Sequence, residues 1–116
     1  MTPRRVYRDF LEDIRQAGQK AVGFLGGMTL EDFAGDEKTA FAVVRALEIV
    51  GEAAKHVPQT IRDRYPEVPW RSMAGIRDKL IHDYVNVNLE VVWKTVTEDL
   101  PALVPQVQQI IDQMAG

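Results

Sequence analysis

Apolar residues recur at every third or fourth position along most of this chain, which is the spacing of one face of an α-helix. The first such pattern follows Thr2-Pro3, a hydroxyl N-cap before a proline at the first helical position, and it ends at Gly26-Gly27. The second pattern runs from about Asp36 to His56 and is closed by Pro58. Its predicted buried stripe consists of Ala40, Phe41, Val44, Leu47 and Val50. Both patterns predict long amphipathic helices.

The second half of the chain continues this pattern after two interruptions. Two prolines between Tyr65 and Pro69 push the residues before them out of the helical region, and Pro69-Trp70 starts the next helix. Residues 85–88 interrupt it, and Asn88 is a predicted cap for a fourth helix, in which Pro101 marks a kink or a restart. No segment alternates at the period of a strand. The prediction is an all-α, up-down four-helix bundle with a broken or kinked last helix, formed by residues 1–116 as a single domain.

The composition restricts the classes of protein to consider. The absence of cysteine excludes a disulfide scaffold, a thiolate zinc site and a cysteine nucleophile. No apolar segment approaches the roughly 20 residues of a membrane span, and the N-terminus lacks the apolar core of a signal peptide. We therefore expect a cytoplasmic protein that does not associate with membranes.

The net charge of −3 argues weakly against a protein that coats nucleic acid by bulk charge. The charge is, however, unevenly distributed. Residues 1–20 hold five basic and three acidic side chains, and residues 41–85 hold seven and six. Residues 29–40 and 86–116 each hold four acidic side chains and one basic side chain. A phosphate-binding surface is therefore expected to use the N-terminal and central segments.

One short segment concentrates residues that can perform chemistry, namely Arg77, His82 and Tyr84. Arginine binds phosphate in a bidentate fork, and histidine can move protons near neutral pH. With the 2′-hydroxyl of RNA as the nucleophile, these two side chains suffice for RNA cleavage without a metal. On one straight helix, Arg77 and Tyr84 lie within about 20° of each other and His82 about 140° from Arg77. Either the helix unwinds near Ile81, or the side chains of two subunits meet.

A purely structural interpretation of the same residues remains open from spacing alone. In that interpretation Arg77 pairs with Asp78 or Glu48, His82 caps a helix end, and Tyr84 packs with its hydroxyl in water. Glu48 and Glu52, one turn apart, are either a pair that positions Arg45 or Arg77, or an exposed acidic ridge.

Four other positions favour structural roles. Gly51 predicts close packing against another helix, because a mid-helix glycine is otherwise unfavourable. Trp70 and Trp93 are expected to pack, and His56 suits the carbonyl end of a helix. His56 and His82 do not form a close i,i+4 pair, so no metal site is expected.

The wider pattern resembles the HEPN superfamily, and more closely the HepT-type toxins of HepT–MntA toxin–antitoxin systems. Beyond the triplet, the matching stretches in order are Arg45–Ala54, Pro69-Trp70, Gly75–Asp78, His82–Tyr84, Val92-Trp93 and Asp99–Pro101. The resemblance covers about residues 3–112. One departure is Asp78, where asparagine is more often expected after the arginine.

This resemblance implies a homodimeric, metal-independent endoribonuclease with an HEPN-like fold, the toxin of a type II- or type VII-like pair, acting on mRNA or tRNA without a cofactor. Arg77 and His82 match the catalytic pair, and Asp78 and Glu48 are expected to support them. Tyr84 matches the tyrosine that a minimal MntA-like nucleotidyltransferase antitoxin adenylylates. The alternative is a non-catalytic, HEPN-like dimeric module that binds a nucleotidyltransferase or a nucleotide.

Overall fold

A computed structural model describes residues 4–80 and 87–115, with the side chains of residues 7–80 and 87–114, and every regular element in this part of the chain is helical. In chain order the elements are α1 (Arg4–Leu25), α2 (Leu30–Ala34), α3 (Glu37–His56), α4 (Gln59–Arg64), α5 (Trp70–Ala74), α6 (Ile76–Leu80), α7 (Leu89–Lys94), a π-helical segment (Thr95–Asp99) and α8 (Leu100–Ala115). The predicted all-α, HEPN-like class is confirmed.

The hydrophobic core lies between α1, α3 and α8, and the buried residues of α5 and α6, which also pack against α3, belong to it. The core side chains with no exposed surface include Leu11, Ile14, Leu47, Val50 and Val107. Burying a side chain of this size stabilises the fold by roughly 1.5–3 kcal/mol. The core therefore places α3 at the centre, in contact with both halves of the chain.

The buried stripe of α3 differs from the predicted one by a rotation. Phe41 is 71% exposed and Val44 is half-buried, whereas Val43 is fully buried. The core side of this helix is formed by Val43, Ala46, Leu47, Val50, Ala53 and Ala54. The helix carries apolar residues on two adjacent stripes, so spacing alone did not distinguish them. The prediction for Phe41 was wrong, and α3 keeps an apolar outward side.

Helices α3 and α7 begin at the capping residues that the sequence predicts. The carboxylate of Asp36 accepts a hydrogen bond from the backbone N–H of Thr39 at 3.0 Å, at the start of α3. The Asn88 side chain accepts one from the Val91 N–H at 3.1 Å, as expected for the cap of α7. Each bond satisfies a backbone donor that the first helical turn leaves unpaired.

Helix α4 was not predicted from the sequence. It follows Pro58 directly, and its Arg62 reaches back to the end of α3, donating from Nε to the Val57 carbonyl at 3.0 Å and from Nη2 to the Ala54 carbonyl at 2.6 Å. A helix of six residues offers too few positions for a repeating apolar pattern to be recognised. The carbonyl groups that Arg62 contacts lie outside α4, so the spacing within α4 does not reveal these bonds either.

The last helix runs through both of its prolines. The departure predicted at Pro101 takes the form of the π-helical segment, which joins α7 to α8 without a gap. Proline lacks a backbone donor, and a widened turn is one way for a helix to continue past it. Thr95 is buried within this segment and donates its hydroxyl to the Val91 carbonyl at 2.8 Å. In residues 4–80 and 87–115 no helix has both the length and the apolar character needed to cross a bilayer.

Candidate functional site

Helix α6 has a buried edge and a solvent-facing edge. Ile76 and Leu80 are buried in the core, whereas Arg77, Asp78 and Lys79 are exposed. Ile76 and Leu80 are four residues apart, so they anchor one side of this short helix and leave its other side to solvent. Arg77 is therefore presented outward from an anchored helix.

Gly51 lets α3 approach α5 and α6 closely. A Cβ atom at this position would lie 2.7 Å from the Ile76 Cγ2 atom and 3.2 Å from the Met73 carbonyl oxygen. The first distance is too short for real carbon atoms, so any larger residue would push the two helices apart. Close helix packing, the predicted reason for this glycine, is confirmed. The contact fixes the position of α6, and thus of Arg77, relative to α3.

Arg77 faces Glu48 across this contact. The Nε atom of Arg77 lies 4.0 Å from the Oε2 atom of Glu48, and the two side chains are 65% and 27% exposed. An exposed ion pair at this distance contributes about 0–1 kcal/mol. Glu48 therefore holds the guanidinium loosely and leaves most of it accessible to a ligand.

Glu52, one turn after Glu48, has a different partner. Its Oε1 atom lies 3.3 Å from the Nε2 atom of His56, the last residue of α3. The His56 ring also stacks on Phe10 of α1, with the ring centres 5.2 Å apart. The two glutamates, indistinguishable in the sequence, are thus separated, and only Glu48 contacts Arg77. His56 occupies the helix end expected of a structural histidine.

The remaining predicted site residues are Asp78, His82 and Tyr84. Asp78 is exposed and forms no ion pair or hydrogen bond with another described side chain. His82 and Tyr84 lie outside the described residues. On either side of them, the Leu80 carbonyl accepts a hydrogen bond from the Asn88 N–H at 2.9 Å. Of the predicted set, the structure therefore brings together Arg77 and Glu48.

Both tryptophans have packing roles, as predicted. Trp70 is 6% exposed and donates from Nε1 to the Tyr65 carbonyl at 2.9 Å. Trp93 is half-buried against the core and donates from Nε1 to the Met28 carbonyl at 3.0 Å. Within the part of the chain that the structure describes, no cluster of three or more His, Asp or Glu side chains is arranged to hold a metal ion.

Sequence reasoning missed a cavity at the end of the bundle where α3 ends. It has a volume of about 470 Å³ and is lined by residues of α1, α4 and α8 and by the residue after α4. Its polar and aromatic lining includes Tyr7, Arg64, Tyr65 and Gln113. These residues come from distant parts of the chain, so no local sequence signal marks the cavity.

A family model and several named proteins match this chain. The family model described as "Ribonuclease HepT-like" matches residues 11–110. A protein of Thermococcus cleftensis named "Probable ribonuclease HepT" is 51% identical over 100 residues, which cover 86% of this chain and 91% of that protein. The comparison with solved structures gave no match.

Two further relatives carry provisional RNase names. One, from Methanocaldococcus jannaschii, is 40% identical over 98% of this chain and 94% of its own length. The other, from Caldanaerobacter subterraneus subsp. tengcongensis, is 41% identical over 91% of this chain and 95% of its own length. The expected kind of protein, a HepT-type member of a ribonuclease family, is confirmed. The chain belongs to the HepT-like ribonuclease family.

Proposed function

We propose that this chain is a metal-independent endoribonuclease that acts on mRNA or tRNA as the toxin of a toxin–antitoxin pair. The observation that carries the proposal is the open guanidinium of Arg77, anchored on α6 beside Glu48, in a member of the HepT-like family. His82 follows Arg77 by five residues in the sequence. Arg77 and His82 are the proposed catalytic residues.

The proposed reaction uses the nucleophile that RNA carries. The 2′-oxygen attacks the adjacent phosphorus, the bond from phosphorus to the 5′-oxygen breaks, and the products end in a 2′,3′-cyclic phosphate and a 5′-hydroxyl. One proton leaves the 2′-hydroxyl and one reaches the departing 5′-oxygen, and the imidazole of His82 carries this proton transfer. Arg77 donates to the phosphoryl oxygens, where negative charge increases in the transition state.

Glu48 is the proposed positioning residue for Arg77. At 4.0 Å it attracts the guanidinium without a hydrogen bond that a phosphate would have to displace. Asp78 directly follows Arg77 and is also exposed on α6. It is proposed as a second supporting carboxylate of the site. The geometry is consistent with an arginine that is oriented but remains free to bind.

A homodimer is supported by the outward stripe of α3, which consists of Phe41, Val44, Arg45, Glu48, Ile49 and Glu52. In a symmetric pair the same surface meets itself. If two α3 helices cross antiparallel about an axis between Glu48 and Ile49, Arg45 faces Glu52 of the partner subunit, and this pairing occurs twice. The exposed Phe41 is covered in the same contact. The two Arg77 side chains, each beside its Glu48, then lie close to the axis.

Charge exchange tests this dimer. Arg45→Glu is expected to shift the protein from dimer to monomer in analytical ultracentrifugation, because it places like charges opposite each other. The double variant Arg45→Glu/Glu52→Arg restores the opposite charges and is expected to restore the dimer. A wild-type monomer at micromolar concentration, or a double variant that stays monomeric, contradicts the arrangement.

The proposed antitoxin is an MntA-like minimal nucleotidyltransferase that transfers AMP from ATP to the Tyr84 hydroxyl. The oxygen of Tyr84 forms a bond to the α-phosphorus of ATP, pyrophosphate leaves and the hydroxyl proton is released. The product carries a phosphodiester charge and an adenosine seven residues from Arg77, which would occupy its phosphate site. Co-expression is expected to add multiples of the AMP mass to the wild type and none to Tyr84→Phe. A mass shift that persists in Tyr84→Phe places the modification elsewhere.

Cleavage of RNA in EDTA tests the enzyme directly. Purified wild type is expected to produce cyclic-phosphate ends, and both Arg77→Ala and His82→Ala are expected to lose this activity. Arg71→Ala is the matched control, since it removes another exposed arginine from the neighbouring helix α5. Equal cleavage by wild type and His82→Ala contradicts the mechanism.

Growth on induction separates a toxin from a binding module. Wild type without its partner is expected to arrest growth, and His82→Ala is expected not to. If both are harmless and purified wild type leaves RNA intact, the chain is instead a non-catalytic module that binds a nucleotidyltransferase or a nucleotide.

A further inference from the structure

The cavity of about 470 Å³ at the end of the bundle has the size of a small-molecule site, for which 300–1,000 Å³ is typical. It is lined by Tyr7, Ile61, Arg64, Tyr65, Ile110, Gln113 and Met114. None of these residues is acidic, and one is an arginine. The lining therefore combines aromatic rings, apolar walls, an amide and a positive charge.

Tyr65 is held in place from both of its ends. Its hydroxyl donates to the Oε1 atom of Gln113 at 2.9 Å, and its carbonyl accepts from the Nε1 atom of Trp70 at 2.9 Å. The guanidinium carbon of Arg64 lies 5.9 Å from the centre of the Tyr65 ring. One wall of the cavity is thus an ordered aromatic ring with a cation next to it.

Arg64 and Tyr7 keep their polar groups available. Among the described residues, no carboxylate forms an ion pair with Arg64, and the Tyr7 hydroxyl has no hydrogen-bond partner. Tyr7 is half-buried against the core, so its ring position is restrained. A ligand with a flat ring and a nearby negative charge would satisfy both side chains.

A second cavity of similar size provides a contrast. It measures about 490 Å³ and lies between α5, α6, the π-helical segment and α8. Its lining carries three carboxylates, those of Glu67, Glu98 and Asp99, and one cation, Lys79. A polyanion would be repelled there. Of the two cavities, only the one at Arg64 has the charge that nucleic acid requires.

The Arg64 cavity lies near the C-terminal end of α3, whereas Arg77 lies beside Glu48, in the middle of that helix. Phe10 of α1 stacks on His56 at the end of α3, Tyr7 lies one turn earlier on α1, and α4 begins three residues after His56. From Glu48 to His56, α3 rises about 12 Å. The cavity and Arg77 are thus associated with two different parts of the same helix.

We propose that this cavity is a second RNA-binding subsite, which takes an unpaired base of the substrate. The base stacks on the Tyr65 and Tyr7 rings, and Arg64 contacts an adjoining phosphate. This inference rests on the proposed ribonuclease function, because it assigns the cavity to the same substrate. The subsite contributes to RNA affinity, and the bond is broken at Arg77.

Binding of a short, fluorescein-labelled single-stranded RNA tests the subsite by fluorescence anisotropy in EDTA, in a His82→Ala background that does not cut the probe. Tyr7→Leu and Arg64→Gln are each expected to weaken binding about tenfold, the effect of losing one stacking or charged contact. Tyr7→Leu retains an apolar side chain against the core, and thermal melts report on folding. Arg71→Gln removes the same charge outside the cavity and is the matched control.

The steady-state parameters provide a second measurement in proteins that keep His82. Tyr7→Leu and Arg64→Gln are expected to raise KM much more than they lower kcat. If the wild type cleaves RNA and both variants bind and cleave as it does, the subsite is wrong while the ribonuclease stands. If wild type neither binds nor cleaves RNA, both proposals fail. Variants that lose a nucleotidyltransferase partner but keep RNA affinity overturn the subsite and assign the cavity to a protein.

Discussion

Arg77 and Arg64 are both exposed arginines on short helices, yet their surroundings differ. Arg77 lies 4.0 Å from a carboxylate, that of Glu48, and precedes a histidine in the sequence. Arg64 lies over an aromatic ring at 5.9 Å and pairs with no carboxylate among the described residues. A carboxylate orients a guanidinium, whereas a ring leaves its charge available to a ligand. This difference supports the proposals that the first arginine takes part in the chemistry and that the second contributes to affinity.

Substitution by lysine is expected to separate the two arginines most clearly. Arg77→Lys replaces a planar fork with a point charge at the position where transition-state charge develops, so kcat is expected to fall about a hundredfold. Arg64→Lys is expected to act mainly on KM and by much less. Steady-state RNA cleavage gives both values. An equal loss of kcat in the two variants would remove the distinction between them.

The next largest effect concerns the close contact between Gly51 and Ile76, which positions the helix of Arg77 and has no counterpart at Arg64. Gly51→Ala places a methyl group against Ile76 and is expected to lower the free energy of unfolding by about 1–3 kcal/mol, with a loss of cleavage as α6 shifts. Gly23→Ala is the control, because its methyl group meets nothing within 4 Å and alanine favours the helix. Urea denaturation gives the free energy of unfolding of both variants, and an RNA cleavage assay gives their activity. A Gly51→Ala variant as stable as Gly23→Ala would show that the close approach is unimportant.

A smaller effect is expected from the carboxylate beside Arg77. Glu48→Gln removes a loose ion pair, so kcat is expected to fall by up to about fivefold, equivalent to roughly 1 kcal/mol. Glu52→Gln, measured at concentrations that keep the dimer, is expected to retain kcat because Glu52 contacts His56. Equal losses in both would mean that the outward stripe acts only through its total charge.

The smallest effect concerns the start of α3, the helix that carries Glu48. The hydrogen bond from the Thr39 backbone lowers the pKa of Asp36, so its carboxylate stabilises the fold above its unfolded pKa. That contribution is lost as the pH falls through the lower, folded pKa. Asp36→Asn keeps an acceptor but cannot titrate, so the acid-side loss of stability is expected to be shallower. Thermal melts across acid pH test this, and an Asp36→Asn variant that loses stability as steeply as wild type would contradict it.

Much of the fold was predictable because it depends on local signals. The end of α1 and both bounds of α3 follow from glycine, proline and capping residues, and Asn88 caps α7 as expected, whereas Thr2-Pro3, the predicted start of α1, lies outside the described residues. The close approach at Gly51 was also predictable, since glycine weakens the interior of a long helix unless a neighbouring element needs the space that a side chain would fill. The side of α3 that faces the core was not predictable, because Phe41 and Val43 are both apolar and only packing distinguished them.

The sequence by itself determined that the chain is all-helical and that it belongs with the HepT-like proteins, and it predicted Arg77 as the candidate catalytic arginine. The first depends on periodicity, and the other two depend on residue motifs read in order along the chain. Only the tertiary structure decided that Glu48, rather than Glu52, faces Arg77, and that Tyr7, Tyr65 and Gln113 share a cavity with Arg64. The physical reason is that these contacts join separate helices. Their geometry depends on how a shared core sets the helices against one another, and local spacing does not encode it.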